Sequence, residues 1–124
     1  MADILFKEES YKIIGACFEV HKILGHGFME IVYKDALELE FSKLNIPFER
    51  EKLYTISYKE QLLKHCFVAD FVAYDTIILE IKTGSYIGDP YIKQTLNYLK
   101  ASGLRLGIVI NFGTPSLEYN RVIF

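Results

Sequence analysis

The chain has 124 residues, 51% of them apolar, a formal net charge of −2 and two cysteines. That length fits a single domain over residues 1–124 with one real core; the charge and cysteine count exclude a strongly basic nucleic-acid binder and a disulfide scaffold. No apolar run approaches the roughly 18 residues of a membrane span, and the acidic start lacks a signal peptide's basic region, so a cytoplasmic protein without membrane association is expected.

The first predicted element is a helix over Glu8–Leu24. Ile13, Ala16, Cys17, Val20, Ile23 and Leu24 recur at helical spacing. Glu8 and Glu9 suit the positive end of its dipole, and Gly25 and Gly27 mark its end. A second helix is expected over Met29–Leu44, stopping before Pro47, with Tyr33, Leu37, Phe41 and Leu44 on its apolar stripe. Glu30 falls on the same stripe. An acid there needs a partner, although the helix dipole also favours a glutamate in the first turn.

Strands are expected next at Phe48–Tyr58, at Leu62–Cys66 running on through Phe67–Ala73, and at Ile77–Lys82, with a turn at Lys59-Glu60-Gln61. Gly84 and Gly88-Asp89-Pro90 mark a loop. A third helix over Pro90–Ser102 carries its proline where a missing N–H costs little, and Gly103 closes it. Leu104–Phe112 reads as an apolar strand and Tyr119–Phe124 as an edge strand. The order is α-α-β-β-β-α-β-β, an α/β arrangement.

Charge is rare inside the apolar strands, which makes Asp70 and the run Glu80-Ile81-Lys82 informative. A three-residue loop at Tyr74-Asp75-Thr76 pairs Ala73 with Ile77 and counts out to Asp70 opposite Glu80. Opposed residues share a face with Cβ atoms roughly 5 Å apart. Two like charges there repel unless something positive lies between them. A divalent cation would do this, and Lys82, on the same face as Glu80, would add a fixed charge. On the third helix, Tyr91, Gln94 and Tyr98 share one face, either a plain amphipathic edge or a wall of the same cleft. Cys17 and Cys66 lack ligand spacing and are expected as buried free thiols. His21, His26 and His65 read as surface or core histidines, with His21 near enough to the Gly25–Glu30 turn to approach the site.

Asp70 followed by Glu80-Ile81-Lys82 resembles the signature of the PD-(D/E)XK nuclease superfamily. Gly27-Phe-Met-Glu30-Ile-Val-Tyr33 resembles the G-x-x-E-x-x-Y motif that names one small family within it. The resemblance continues through Ala69-Asp70-Phe71, Gln94 to Tyr98-Leu99, and Gly107 to Asn111-Phe112, nearly the whole chain. It implies an α+β mixed-sheet, restriction-endonuclease-like core. It also implies Mg²⁺ or Mn²⁺ on Glu30, Asp70 and Glu80, with Asp70, Glu80 and Lys82 as the catalytic group. Gln94, Tyr98, Tyr33 and Tyr91 fall in supporting places.

The implied activity is metal-dependent hydrolysis of phosphodiester bonds in DNA or RNA, with a homodimer as one way to reach two strands. Ala69, Val68, Tyr91 and His26 depart from the family's usual proline, arginine, histidine and proline. Those departures leave open a different class of function, a non-catalytic nucleic-acid- or protein-binding module on the same fold.

Overall fold

The computed structural model describes residues 4–124. Within them the elements are α1 (Lys7–Leu24), α2 (Glu30–Lys43), β1 (Phe48–Tyr58), β2 (Gln61–Ala73), β3 (Ile77–Lys82), α3 (Asp89–Ser102), β4 (Leu106–Asn111) and β5 (Glu118–Ile123). The order is the expected one, and the bounds shift by one or two residues, as element ends do.

The strands form one sheet in the order β1-β2-β3-β4-β5. β3 and β4 run parallel, and the other neighbours are antiparallel. A parallel pair needs a crossover, and α3 supplies it. Helices cover both faces. Ile13, Cys17 and Val20 of α1 and Tyr33, Leu37 and Phe41 of α2 pack on Phe71, Leu79, Ile81, Ile108 and Ile110. Tyr98 and Leu99 of α3 pack on the other face with Ala69, Val72, Ile78 and Val109. β3 and β4 are therefore apolar on both sides, as strands buried between two layers must be. α3 sits close because Gly107 has no side chain; a Cβ there would meet Thr95 Cγ2 at 2.5 Å.

The β2–β3 hairpin has the expected loop. Ala73 pairs with Ile77, Val72 with Ile78 and Phe71 with Leu79. Tyr74 and Asp75 both take left-handed backbone (φ 56 and 57), and Thr76 N–H closes the turn on Ala73 O.

Three burial expectations are corrected. Ile23 and Leu44 are 70% and 50% exposed. The chain reverses at Asn45 (φ 57), and this returns Ile46 rather than Leu44 to the core. Cys66 is exposed while Cys17 is buried. The far end of the β1–β2 hairpin leaves Leu53, Leu62 and Leu63 exposed as well, so Cys66 has no core to enter. Burial pushes the Cys17 thiol up, so it stays protonated and inert.

Candidate active site

The β2–β3 ladder stops at Phe71 and Leu79, one residue short of Asp70 and Glu80. Beyond that point the side chains replace the ladder. Asp70 N–H donates to Glu80 Oε2 at 2.9 Å, and Ile81 N–H donates to Asp70 Oδ2 at 2.7 Å. The two carboxylates meet as expected, but each bonds the other strand's backbone instead of sitting in a regular pair.

β2 itself changes at this residue. Phe71 and Ala73 pack toward α1 and α2, yet Ala69 packs toward α3. Residues two apart share a face in a regular strand. The alternation therefore slips at Asp70. On β1, Arg50 pairs with Phe71 and Lys52 with Ala69, so Glu51 lies opposite Asp70. Glu51 is also irregular, with φ 56, a conformation that non-glycine residues adopt at a cost. The slip turns Asp70 Oδ1 toward α2, where Lys34 Nζ lies 3.1 Å away.

Lys82 ends β3. Its ammonium donates to Gln94 Oε1 at 2.7 Å and lies 5.0 Å from the centre of the Tyr91 ring. Both partners belong to α3, so two of the three polar face residues gather around one cation. Tyr98 is buried with its ring edge-on to Phe67. Burial, then the charges of Glu80 and Asp70, push its hydroxyl up to about 12. Asn111 pins the loop after Lys82 by donating to Gly84 O at 2.9 Å and to Glu118 Oε1 at 3.0 Å. Gly113 lies so close that a Cβ there would collide with Gly84 O.

Glu30 opens α2. Burial and then the Asp70 charge raise its carboxyl, with Lys82 and Lys34 partly offsetting them. Tyr33 does not reach the acids. It is fully buried, stacks on Phe112, donates to Gly25 O at 2.6 Å and accepts from Phe28 N–H at 3.2 Å. It clamps the 25–28 turn that leads into Glu30. His21 is engaged away from the acids, with Nε2 2.9 Å from Thr114 O.

The electrostatics are those of an anionic pair short of positive charge. Glu80 is 2% exposed, and burial followed by the Asp70 charge raises its carboxyl to about 8. The Asp70 N–H, Lys82 and Lys34 act the other way but do not restore it. Burial would lower the Lys34 ammonium, and the Asp70 and Glu51 carboxylates more than offset this.

A family model described as the PD-(D/E)XK nuclease superfamily matches residues 7–122. The chain belongs to that superfamily. A search of curated proteins found no match. Among solved structures, the crystal structure of SSO0001 superposes with a TM-score of 0.59 at 22% identity. The alignment covers 95% of this chain and 57% of that one. This is a likeness of fold, and the chain spans little more than half of that longer protein.

Nucleases of the superfamily generally use divalent metals. The chemistry of Asp70 and Glu80 fits one. Both are hard oxygen donors, both belong to the same buried patch, and each raises the need for a nearby cation. Among the described residues, no three His, Cys, Asp or Glu side chains are gathered into a ready cage. Sequence reasoning missed Lys34 and Glu51. The spacing Glu30-x-x-x-Lys34 was an available signal, because residues four apart share a helix face. Nothing in the sequence marks Glu51 beyond an acid in a strand. A surface hollow of about 410 Å³ between α1 and β5 shares no residue with this cluster.

Proposed function

We propose that this superfamily member is a divalent-metal-dependent nuclease of the GxxExxY family that hydrolyses phosphodiester bonds in DNA or RNA. The observation that carries the reading is the meeting of Asp70 and Glu80 across the parted strands, with Lys82 two residues beyond Glu80. In this reading Asp70, Glu80 and Glu30 hold Mg²⁺ or Mn²⁺. Oxygen donors of this kind suit those ions rather than zinc. The bound cation would supply a Lewis acid for the phosphodiester and lower the pKa of the attacking water.

The chain's own residues do the rest. Asp70 and Glu80 are held in place by the backbone N–H groups from which they accept, which keeps their side chains positioned to act as ligands. Lys82 presents a compact positive charge to the phosphoryl oxygens as negative charge builds there. Gln94 and Tyr91 aim that charge. Tyr98 walls the patch from the α3 side. Water attacks phosphorus, one phosphorus–oxygen ester bond breaks, and the products are a phosphate monoester and an alcohol.

The same reading takes the chain as one domain, since one sheet with two covering layers accounts for its described core. A homodimer would let two such sites reach both strands of a duplex. A reducing compartment such as the cytoplasm suits the free thiols of Cys17 and Cys66. No helix among the described residues is long and apolar enough to cross a membrane.

The test is cleavage of labelled DNA and RNA, single-stranded, duplex and branched, with Mn²⁺. Cleavage that needs the metal and is lost in Lys82→Ala is the expected result. Either of the other outcomes contradicts the reading: cleavage equal in both proteins would point to a contaminating nuclease, and cleavage in neither would favour the binding module.

A further inference from the structure

Lys34 lies one helical turn after Glu30, yet its contacts are with the sheet. Its Nζ is 3.1 Å from Asp70 Oδ1 and 3.4 Å from Glu51 Oε1. The Lys34 and Asp70 side chains are 12% and 16% exposed, so this pair is largely withdrawn from water, whereas Glu51 is 55% exposed. The other Asp70 oxygen already accepts Ile81 N–H. Lys34 therefore covers the Asp70 oxygen that would otherwise be open to a metal. An ammonium and a divalent cation compete for the same lone pairs, and their charges repel at contact distance.

Glu51 offers Lys34 somewhere else to go. It stands opposite Asp70 in the β1–β2 register, and its left-handed backbone sits at the point where both strands lose their regularity. Lys34 already touches it. A small rotation of the lysine would leave it on Glu51 alone and free Asp70 Oδ1.

We propose that Lys34 stands in for the metal: it holds Asp70 in the metal-free protein and crosses to Glu51 when the divalent cation binds. The inference rests on the reading of Asp70 as a metal ligand. Lys34 is then a positioning residue that sets metal affinity. Its exchange keeps the Asp70–Glu80 pair partly neutralised when no metal is present.

The experiment is Mn²⁺ binding, followed by the loss of the free-ion electron paramagnetic resonance signal, in purified full-length variants at constant pH. Lys34→Gln is expected to tighten binding about tenfold, the scale of coupling between groups in direct contact. Lys34→Arg keeps the counter-charge and is expected not to tighten it. Glu51→Gln removes the second station and is expected to weaken binding several-fold.

A general effect of net charge would also tighten binding in Lys34→Gln and weaken it in Glu51→Gln, so a double-mutant cycle is needed to separate the two accounts. Under the exchange, Glu51→Gln has no further effect once Lys34 is Gln. Under a general charge effect, the two changes add, and additivity would overturn the proposal. Unchanged or weaker binding in Lys34→Gln would overturn it as well. Glu51 is exposed, so Glu51→Gln should fold and carries the test alone if Lys34→Gln does not; no weakening there overturns the proposal. Asp70→Asn distinguishes the two levels. Binding lost in Asp70→Asn but unaltered in Lys34→Gln removes this inference alone. Binding indifferent to Asp70→Asn, or absent from every protein, removes the metal reading and this inference with it.

Discussion

Asp70 and Glu80 each spend a carboxylate oxygen on the other strand's backbone, at 2.7 and 2.9 Å. That exchange lets a buried acid and a partly buried one face each other where the sheet parts, because each is tied to a donor that the missing ladder would otherwise leave unpaired. The cost falls on Glu80, whose carboxyl is raised by burial and by Asp70 to about 8.

This raised carboxyl makes stability depend on pH. Glu80 holds its proton in the folded protein up to about 8 and in the unfolded chain only to 4.5, so between those values the folded state binds more protons. Its contribution is fully present below 4.5 and is lost as pH rises through 8. Thermal unfolding of the metal-free protein should occur several degrees lower at pH 8 than at pH 5. Glu80→Gln should flatten that slope and raise the pH 8 midpoint. A wild-type slope unchanged in Glu80→Gln would assign the effect to another group.

Tyr33→Phe tests the clamp in front of Glu30. The change removes one hydroxyl that bonds both Gly25 O and Phe28 N–H. Stability should fall by about 1 kcal/mol, the usual net contribution of such a hydrogen bond where the partners left behind are open to water. Chemical denaturation with an unchanged slope would measure it. An unaltered midpoint would mean that water replaces the hydroxyl without loss.

Gly107 and Thr95 set the distance between α3 and the sheet. Gly107→Ala places a methyl against Thr95 Cγ2 and should cost about 1–3 kcal/mol, as overpacking does. Thr95→Ser removes that methyl and keeps the hydroxyl bond to Tyr91 O. The double variant should therefore recover most of the loss. Additive losses would show that the strain lies elsewhere.

Gln94→Ala leaves Lys82 with the Tyr91 ring but without its hydrogen-bond acceptor. Cleavage at saturating Mn²⁺ should slow about tenfold, the scale expected when a positioned charge is loosened. Mn²⁺ affinity should not move. A change in affinity with no change in rate would place Gln94 with the metal rather than with Lys82.

Much of this was legible in the sequence because the signals were local. Periodicity placed the three helices, and the three-residue loop fixed the register from Ala73–Ile77 to Phe71–Leu79. The meeting of Asp70 with Glu80 followed from that register. Its form did not, since the slip at Asp70 depends on Glu51 and α2, which lie far away in sequence. Lys34 escaped notice for the same reason: its partners sit on two strands, and only its spacing from Glu30 hinted at an inward place. Cys66 was misjudged because alternation cannot tell a hairpin that lies under a helix from one that runs past it. Tyr33 was legible as important, but its work is packing and turn closure rather than contact with the acids.

The most direct test of the account is the rate of phosphodiester cleavage measured across Mn²⁺ concentrations for the wild type, Asp70→Asn and Lys82→Ala. Asp70→Asn should shift the half-saturating Mn²⁺ concentration upward by about tenfold or more, as loss of a ligand should. Lys82→Ala should lower the plateau about a hundredfold or more with little shift in that concentration, as loss of a transition-state charge should. Three coincident curves would contradict the assignment of the Asp70, Glu80 and Lys82 cluster as the site of reaction.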